Sequence, residues 1–135
     1  MVEDVESTVE WYERVFDAER VATLPPEESE GYWWAQVMVN GNALMFQQRG
    51  NLEEKLPELE GASLGGSVAF YIDIDDAHSM HDNLESAEVE ITQDLHETEY
   101  GWLQFAAKDY NGYILWFGER IEEASEEIGR EYRVP

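Results

Sequence analysis

Few residues in this chain combine a reactive type with a useful spacing. Cysteine is absent, so disulfides and thiolate chemistry are excluded. The three histidines are His78, His81 and His96. His78 and His81 stand at i, i+3, a spacing that can hold a metal on one helix face, but no third ligand is spaced to join them. Solvated helix histidines are the simpler reading. Asp94 and His96 stand at i, i+2, on one face of a strand, where an acid–imidazole pair can act as a general base. No nucleophile is spaced to join them, which favours a polar strand-edge pair. Arg49 has an anionic ligand or a surface acid as its alternative partners. There is no glycine-rich phosphate loop, and Gly65-Gly66 reads as a turn before a strand. The glutamate pairs, such as Glu53-Glu54 and Glu122-Glu123, read as solvated surface.

The elements that must position any site come from a repeat. Asn111-Gly112-Tyr113-Ile114-Leu115-Trp116-Phe117 matches Asn40-Gly41-Asn42-Ala43-Leu44-Met45-Phe46 at a constant offset of 71. Asn-Gly supplies the positive-φ residues of a tight hairpin turn, and an alternating apolar strand follows. Upstream, Asp4-Val5-Glu6-Ser7 lines up with Asp73-Ile74-Asp75-Asp76 at an offset of 69. Two matched blocks in one order predict two similar units, each a helix followed by strands. The first expected helix follows Asp4 or Ser7 as its N-cap, with Val5, Val9, Tyr12 and Phe16 inward, and the second runs over about 75–87, with Ala77, Met80 and Leu84 inward. The expected strands are 20–24, 32–39, 43–48, 67–74, 90–96, 102–108 and 113–119. Gly50–Gly66 connects the units, with Leu52, Leu56 and Leu59 allowing a turn or two of helix. Ile121, Ala124, Ile128 and Tyr132 give the acidic tail, 120–135, a helical spacing.

The alternation then sorts the faces. Val68, Phe70, Ile72, Leu115, Phe117, Leu44 and Phe46 are expected against the helices. Ala69, Tyr71, Met45, Gln47, Ile114 and Trp116 take the opposite, concave face, with the apolar and aromatic character of a small-molecule lining.

Composition bounds the partners. The 135 residues carry 8 basic and 31 acidic side chains, a net charge of −23, with Lys55 and Lys108 the only lysines. Such a surface repels nucleic-acid phosphate and anionic lipid, which excludes both as partners. Acid spread through the chain, with lysine so scarce, reads as adaptation to a very salty cytoplasm where repulsion is screened. No apolar run is long enough to span a membrane and no signal-peptide pattern is present, which favours a cytoplasmic protein.

Two segments carry a resemblance to a known family. Asp4-Val5-Glu6-Ser7 leads to Trp11-Tyr12, and Ala69-Phe70-Tyr71-Ile72-Asp73-Ile74-Asp75 opens the second unit. Tyr100-Gly101-Trp102-Leu103-Gln104-Phe105 is then followed by Asp109-Tyr110-Asn111-Gly112-Tyr113. The pattern resembles the vicinal-oxygen-chelate superfamily, which includes glyoxalases, bleomycin-resistance proteins and dioxygenases. The family commonly reads Asp-Pro-Asp-Gly-Asn at the last turn, where Asp109 and Gly112 fit strictly and Asn111 closely.

The resemblance covers about residues 2–119 and implies an α+β fold. Two tandem β-α-β-β-β modules, 1–50 and 65–119, would form one domain, 1–119, with a curved mixed sheet around a concave pocket. The helix cap comes almost immediately after Met1, so a truncated first strand is expected. Metal-dependent members place ligands on the first and last strands of each module. The corresponding positions here are Ser67, Trp116 and Met45, with a fourth falling before Met1. A hard or borderline cation needs carboxylate, imidazole or thiolate, so the resemblance implies that the metal site is lost and that no cofactor is held.

The resulting expectation is a binding protein of the bleomycin-resistance type rather than an enzyme. It would hold a small aromatic or apolar molecule through Met45, Gln47, Ser67, Tyr71, Trp102 and Trp116, without an assigned catalytic residue. The alternative is a metal-dependent glyoxalase- or dioxygenase-like enzyme with an atypical ligand set drawn from His96, Glu119, Gln47 or a histidine of the missing strand. A homodimer is expected, because the superfamily often closes its cavities by pairing modules.

Overall fold

The computed structural model describes residues 1–26 and 31–121. The acidic loop at 27–30 and the tail spacing beyond Ile121 lie outside the described residues. The chain divides into two compact units, Met1–Gly66 with Tyr110–Gly112, and Ser67–Asp109 with the chain from Tyr113 on.

Unit 1 runs α1 (Val5–Phe16), β1 (Glu19–Leu24), β2 (Trp34–Val39) and β3 (Asn42–Gln47), then α2 (Arg49–Lys55) and a 3-10 turn at Pro57–Leu59. Its sheet has the antiparallel order β1-β2-β3. Asn40 and Gly41, at φ 48° and 79°, make the β2–β3 hairpin that Asn-Gly predicts. A parallel first strand is reduced to one residue. Val2 bridges Gln48 in parallel, donates its N–H to the Gln47 carbonyl at 3.0 Å, and accepts the Arg49 N–H at 2.8 Å. Arg49 is a framework residue here, since its guanidinium holds the Glu3 carboxylate and the Ala62 carbonyl.

Unit 2 runs β4 (Ala69–Asp73), α3 (Ala77–Ser86), β5 (Ile91–Glu97), β6 (Trp102–Lys108) and β7 (Ile114–Arg120). The sheet order is β4-β7-β6-β5, with β4 parallel to β7 and the other pairs antiparallel. This is a complete β-α-β-β-β module, so the expected α+β class is the observed one.

The helices start at matched caps. Asp4 accepts the Ser7 N–H at 3.0 Å, and Asp76 accepts the Ser79 N–H at 3.0 Å. The helical repeat therefore runs Asp4 to Asp76, an offset of 72, and not Asp4 to Asp73. Asp73 is the last residue of β4. A slip of three residues is nearly one helical turn, so the apolar stripe matches almost as well in the wrong register. The strand offset of 71 holds in the hydrogen bonds, because Val2 to Gln47 is repeated by Ile74 to Gly118.

Each helix buries one stripe against its own sheet. In unit 1, Val5, Thr8, Val9, Trp11 and Tyr12 are buried, and Tyr12 lies against Phe46 with centroids 5.1 Å apart. In unit 2 the buried stripe of α3 is Ala77, His81 and Leu84. His81 takes the place expected for Met80, another consequence of the register. Phe105 and Phe117 stack beneath it at 5.1 Å. Leu115, Phe117 and Phe46 are buried on the helix side as their alternation requires. Val68, Phe70 and Leu44 are exposed instead. For Phe70 the reason is position: α3 lies over β5, β6 and β7, while β4 is the edge strand beyond it.

Candidate ligand-binding face

Cross-strand register fixes what the side of the unit 2 sheet turned away from α3 presents. Tyr71 pairs with Trp116 and Trp116 with Ala106, while Gly118 pairs with Gln104, Gln104 with His96, and Arg120 with Trp102. Directly opposite residues share a face, so Tyr71, Trp116, Gln104, His96, Trp102 and Arg120 lie on one surface.

The rings on that surface are ordered. Tyr71 and Trp116 lie parallel, 6° apart in plane, with centroids at 6.2 Å. Tyr71 is 69% exposed, so the platform is open on the edge-strand side. His96 stands edge-on to Trp116 at 6.2 Å and 84°. Trp102 lies over Gly118, where an added Cβ would meet the indole Cε3 at 3.0 Å. The Arg120 guanidinium sits 5.1 Å above the Trp102 ring. Glycine at 118 is thus what lets the indole lie flat on the strand.

Polar groups complete the face. The His96 Nδ1 donates to the Asp94 backbone carbonyl at 2.8 Å, and the Gln104 amide nitrogen lies 3.2 Å from Nε2. Two expected pairings are corrected here. The Asp94 carboxylate does not meet His96, because the β5–β6 register shifts between Gln93 and His96. That bulge turns the carboxylate to the helix side, where Oδ1 lies 2.9 Å from His81 Nε2 and accepts the Leu95 N–H. Those two contacts, the Leu95 N–H first, hold the Asp94 carboxyl below its ordinary value. His81 is buried and edge-on to Phe105 at 5.2 Å, so it is neither a solvated histidine nor a partner of His78 in a metal site. Asp82 lies 3.5 Å from the His81 Nδ1, too far for a good hydrogen bond.

The remaining expected residues fall elsewhere. Ser67 is exposed and precedes β4. Met45 and Gln47 share the corresponding face of unit 1, opposite Gln36 and Trp34. Met45 is 64% exposed, and the Gln47 amide donates to Asn51 at 2.6 Å. Glu119 lies on the helix side, where its carboxylate accepts the Ala77 N–H at 2.8 Å. His96, Glu119 and Gln47 are therefore not gathered into one ligand set. Gln104 and Arg120 were missed as site residues, although both share the strand parity of an aromatic already singled out, Trp102 and Trp116 respectively.

A family model for the Glyoxalase/Bleomycin resistance protein/Dioxygenase superfamily matches residues 1–117. The chain belongs to this superfamily. Among solved structures it is similar to TioX from Micromonospora sp. ML1, at 20% identity over 87% of this chain and 91% of that one, with a TM-score of 0.67. A glyoxalase/bleomycin resistance protein/dioxygenase from Nocardioides matches at 14% identity, 93% and 82% coverage, and a TM-score of 0.74. The fosfomycin resistance protein FosX from Listeria monocytogenes matches at 10% identity, 94% and 89% coverage, and a TM-score of 0.64. At such identities the likeness is one of fold. No curated protein matches the sequence.

The superfamily's metal chemistry can be tested against the side chains present. The positions that correspond to its ligands carry an exposed hydroxyl at Ser67, a thioether at Met45 and an indole at Trp116, which is stacked with Tyr71. None supplies carboxylate or imidazole, so this donor set does not fit a hard or borderline cation. Among the described residues no group of three or more His, Asp or Glu is placed to hold one.

Proposed function

We propose that this superfamily member binds a small planar aromatic molecule on the face formed by Tyr71, Trp116 and Trp102, without the family's metal site. The observation that carries the reading is the parallel Tyr71–Trp116 pair, whose outer ring is open to solvent. Stacking a ligand ring on such a surface contributes about 0.5–1.5 kcal/mol per ring pair beyond the area buried. Binding is then set by shape and stacking, with His96, Gln104 and Arg120 available at the rim.

Indole is a suitable first probe, being flat, uncharged and small. Titrated into isotope-labelled protein, it is expected to shift the amide signals of Tyr71, Trp116 and Gln104. Unmoved signals at these three residues would overturn the reading. Metal analysis of protein purified without chelator checks the second half of the proposal: stoichiometric zinc, nickel, manganese or iron surviving gel filtration would contradict it.

Two further proposals concern the environment. A homodimer fits the exposed apolar side chains Val68, Phe70, Leu44 and Met45; light scattering in multimolar salt giving a clean monomer at micromolar concentration would refute it. Adaptation to a salty cytoplasm fits the −23 charge. Melting temperature should then rise steeply with KCl, since the Debye length falls from roughly 30 Å at 0.01 M to roughly 3 Å at 1 M. Acidification towards pH 5 should also raise it in dilute buffer and do little in multimolar salt. A melting temperature indifferent to KCl at neutral pH would end this proposal.

A further inference from the structure

The polar end of the aromatic face carries chemistry that aromatic stacking does not use. A backbone carbonyl can only accept a hydrogen bond, so the 2.8 Å contact to the Asp94 oxygen places the ring hydrogen of His96 on Nδ1. In the neutral imidazole the other nitrogen, Nε2, is then an acceptor with its lone pair in the ring plane. Its partner is the Gln104 amide nitrogen at 3.2 Å, at the long end of the hydrogen-bond range. Orienting that amide nitrogen towards His96 leaves the Gln104 carbonyl oxygen without a partner among the described residues. Two acceptors, His96 Nε2 and Gln104 Oε1, therefore stand together at the rim of the platform. The imidazole is edge-on to Trp116, at 84°. A ring lying flat on Trp116 accordingly has its plane nearly perpendicular to the imidazole and can meet the in-plane lone pair with an edge donor.

We propose that His96 is the specificity-determining acceptor of this face, and that the ligand is an uncharged planar aromatic bearing an N–H or O–H on its edge. The donor takes the His96 Nε2 lone pair from Gln104, whose amide turns to solvent or to a second polar atom of the ligand. An anionic aromatic is disfavoured, because a chain of net charge −23 repels it. The inference rests on the stacking face proposed above and adds the hydrogen-bonding class of its ligand.

Indole and 1-methylindole separate the two ideas. They share one π face, and only indole carries the N–H. Their dissociation constants are measured by the same amide-shift titration on the wild-type protein and on His96→Phe, which keeps an aromatic edge against Trp116 and removes the acceptor. The expected result is that wild-type protein binds indole about fivefold more tightly than 1-methylindole, the range of one net hydrogen bond. In His96→Phe the two probes should bind equally, the preference for indole being lost. A cooperative thermal melt of the variant shows that it is folded. Equal binding of both probes to wild-type protein would overturn the acceptor role while leaving the stacking face standing, as would a preference for indole that survives in His96→Phe. Binding of neither probe would remove the stacking face itself, and the acceptor role with it.

Discussion

Unit 1 and unit 2 repeat one plan, and they agree best where each helix meets its sheet. Asp4 and Asp76 cap their helices with the same contact to a serine three residues on. Phe46 and Phe117 occupy the same buried position 71 residues apart. The faces turned away from the helices share little. Unit 1 presents Trp34, Gln36, Met38, Met45 and Gln47, where Gln36 reaches the Met38 sulfur at 4.0 Å. Unit 2 presents a parallel aromatic pair, an oriented imidazole and an indole laid on a glycine. Burial constrains the first kind of position, because a methylene lost from a packed core is felt at once. It leaves the second kind free to change, so chemistry is best sought where the two copies differ.

The largest effects are expected at the buried positions the two units share. Phe117 is 2% exposed and stacked on Phe105, and Phe117→Ala should cost about 3–5 kcal/mol in urea unfolding. Phe46→Ala should cost less, since Phe46 is 8% exposed. Equal costs would mean that the two cores carry equal loads.

A subtler test exploits the corrected helix register, which makes Val9 the counterpart of His81. Val9→His would bury an imidazole with no acid built to meet it, and should cost about 1–3 kcal/mol. His81→Val should be close to neutral at pH 7, because the Asp94 side chain it leaves behind is exposed. A reversed order would show that the register is not the one described. Gly118→Ala tests the open face in the same way. A Cβ 3.0 Å from the Trp102 ring must push the indole outward, at about 1–3 kcal/mol for overpacking. Near-ultraviolet circular dichroism would record the displaced tryptophan.

The smallest effect lies in the acid limb. The Asp94 carboxyl is held below its ordinary value by the Leu95 N–H and by His81. A carboxylate with a depressed folded-state value adds stability that is present above its unfolded value and lost as pH falls through the folded one. Asp94→Asn should therefore lower stability slightly at neutral pH, flatten its fall below the ordinary carboxylate range, and match the wild type at the acid end. The contribution is modest because Asp94 is exposed. An unchanged acid limb would show that the His81–Asp94 contact does not contribute.

The strands and both long helices were legible because alternation, helical spacing and Asn-Gly turns are local signals. β6 falls on Trp102–Lys108 as its alternation predicts. The helix offset was not legible, because Asp73 and Asp76 are the same residue type separated by almost one turn. The partner of Asp94 was hidden by the bulge in β5, which no residue type there announces. Tyr71 and Trp116 were legible as one face from parity alone. Their parallel stacking, and the proton position on His96, depend on cross-strand register and on a backbone carbonyl, neither of which residue types encode.

The most direct measurement is a crystal structure of the protein soaked with indole. Ring density is expected parallel to Trp116 beside Tyr71, with the indole nitrogen turned towards His96. Density confined to the Met45 face of unit 1, or an empty Tyr71–Trp116 surface under conditions where indole binds in solution, would contradict that placement.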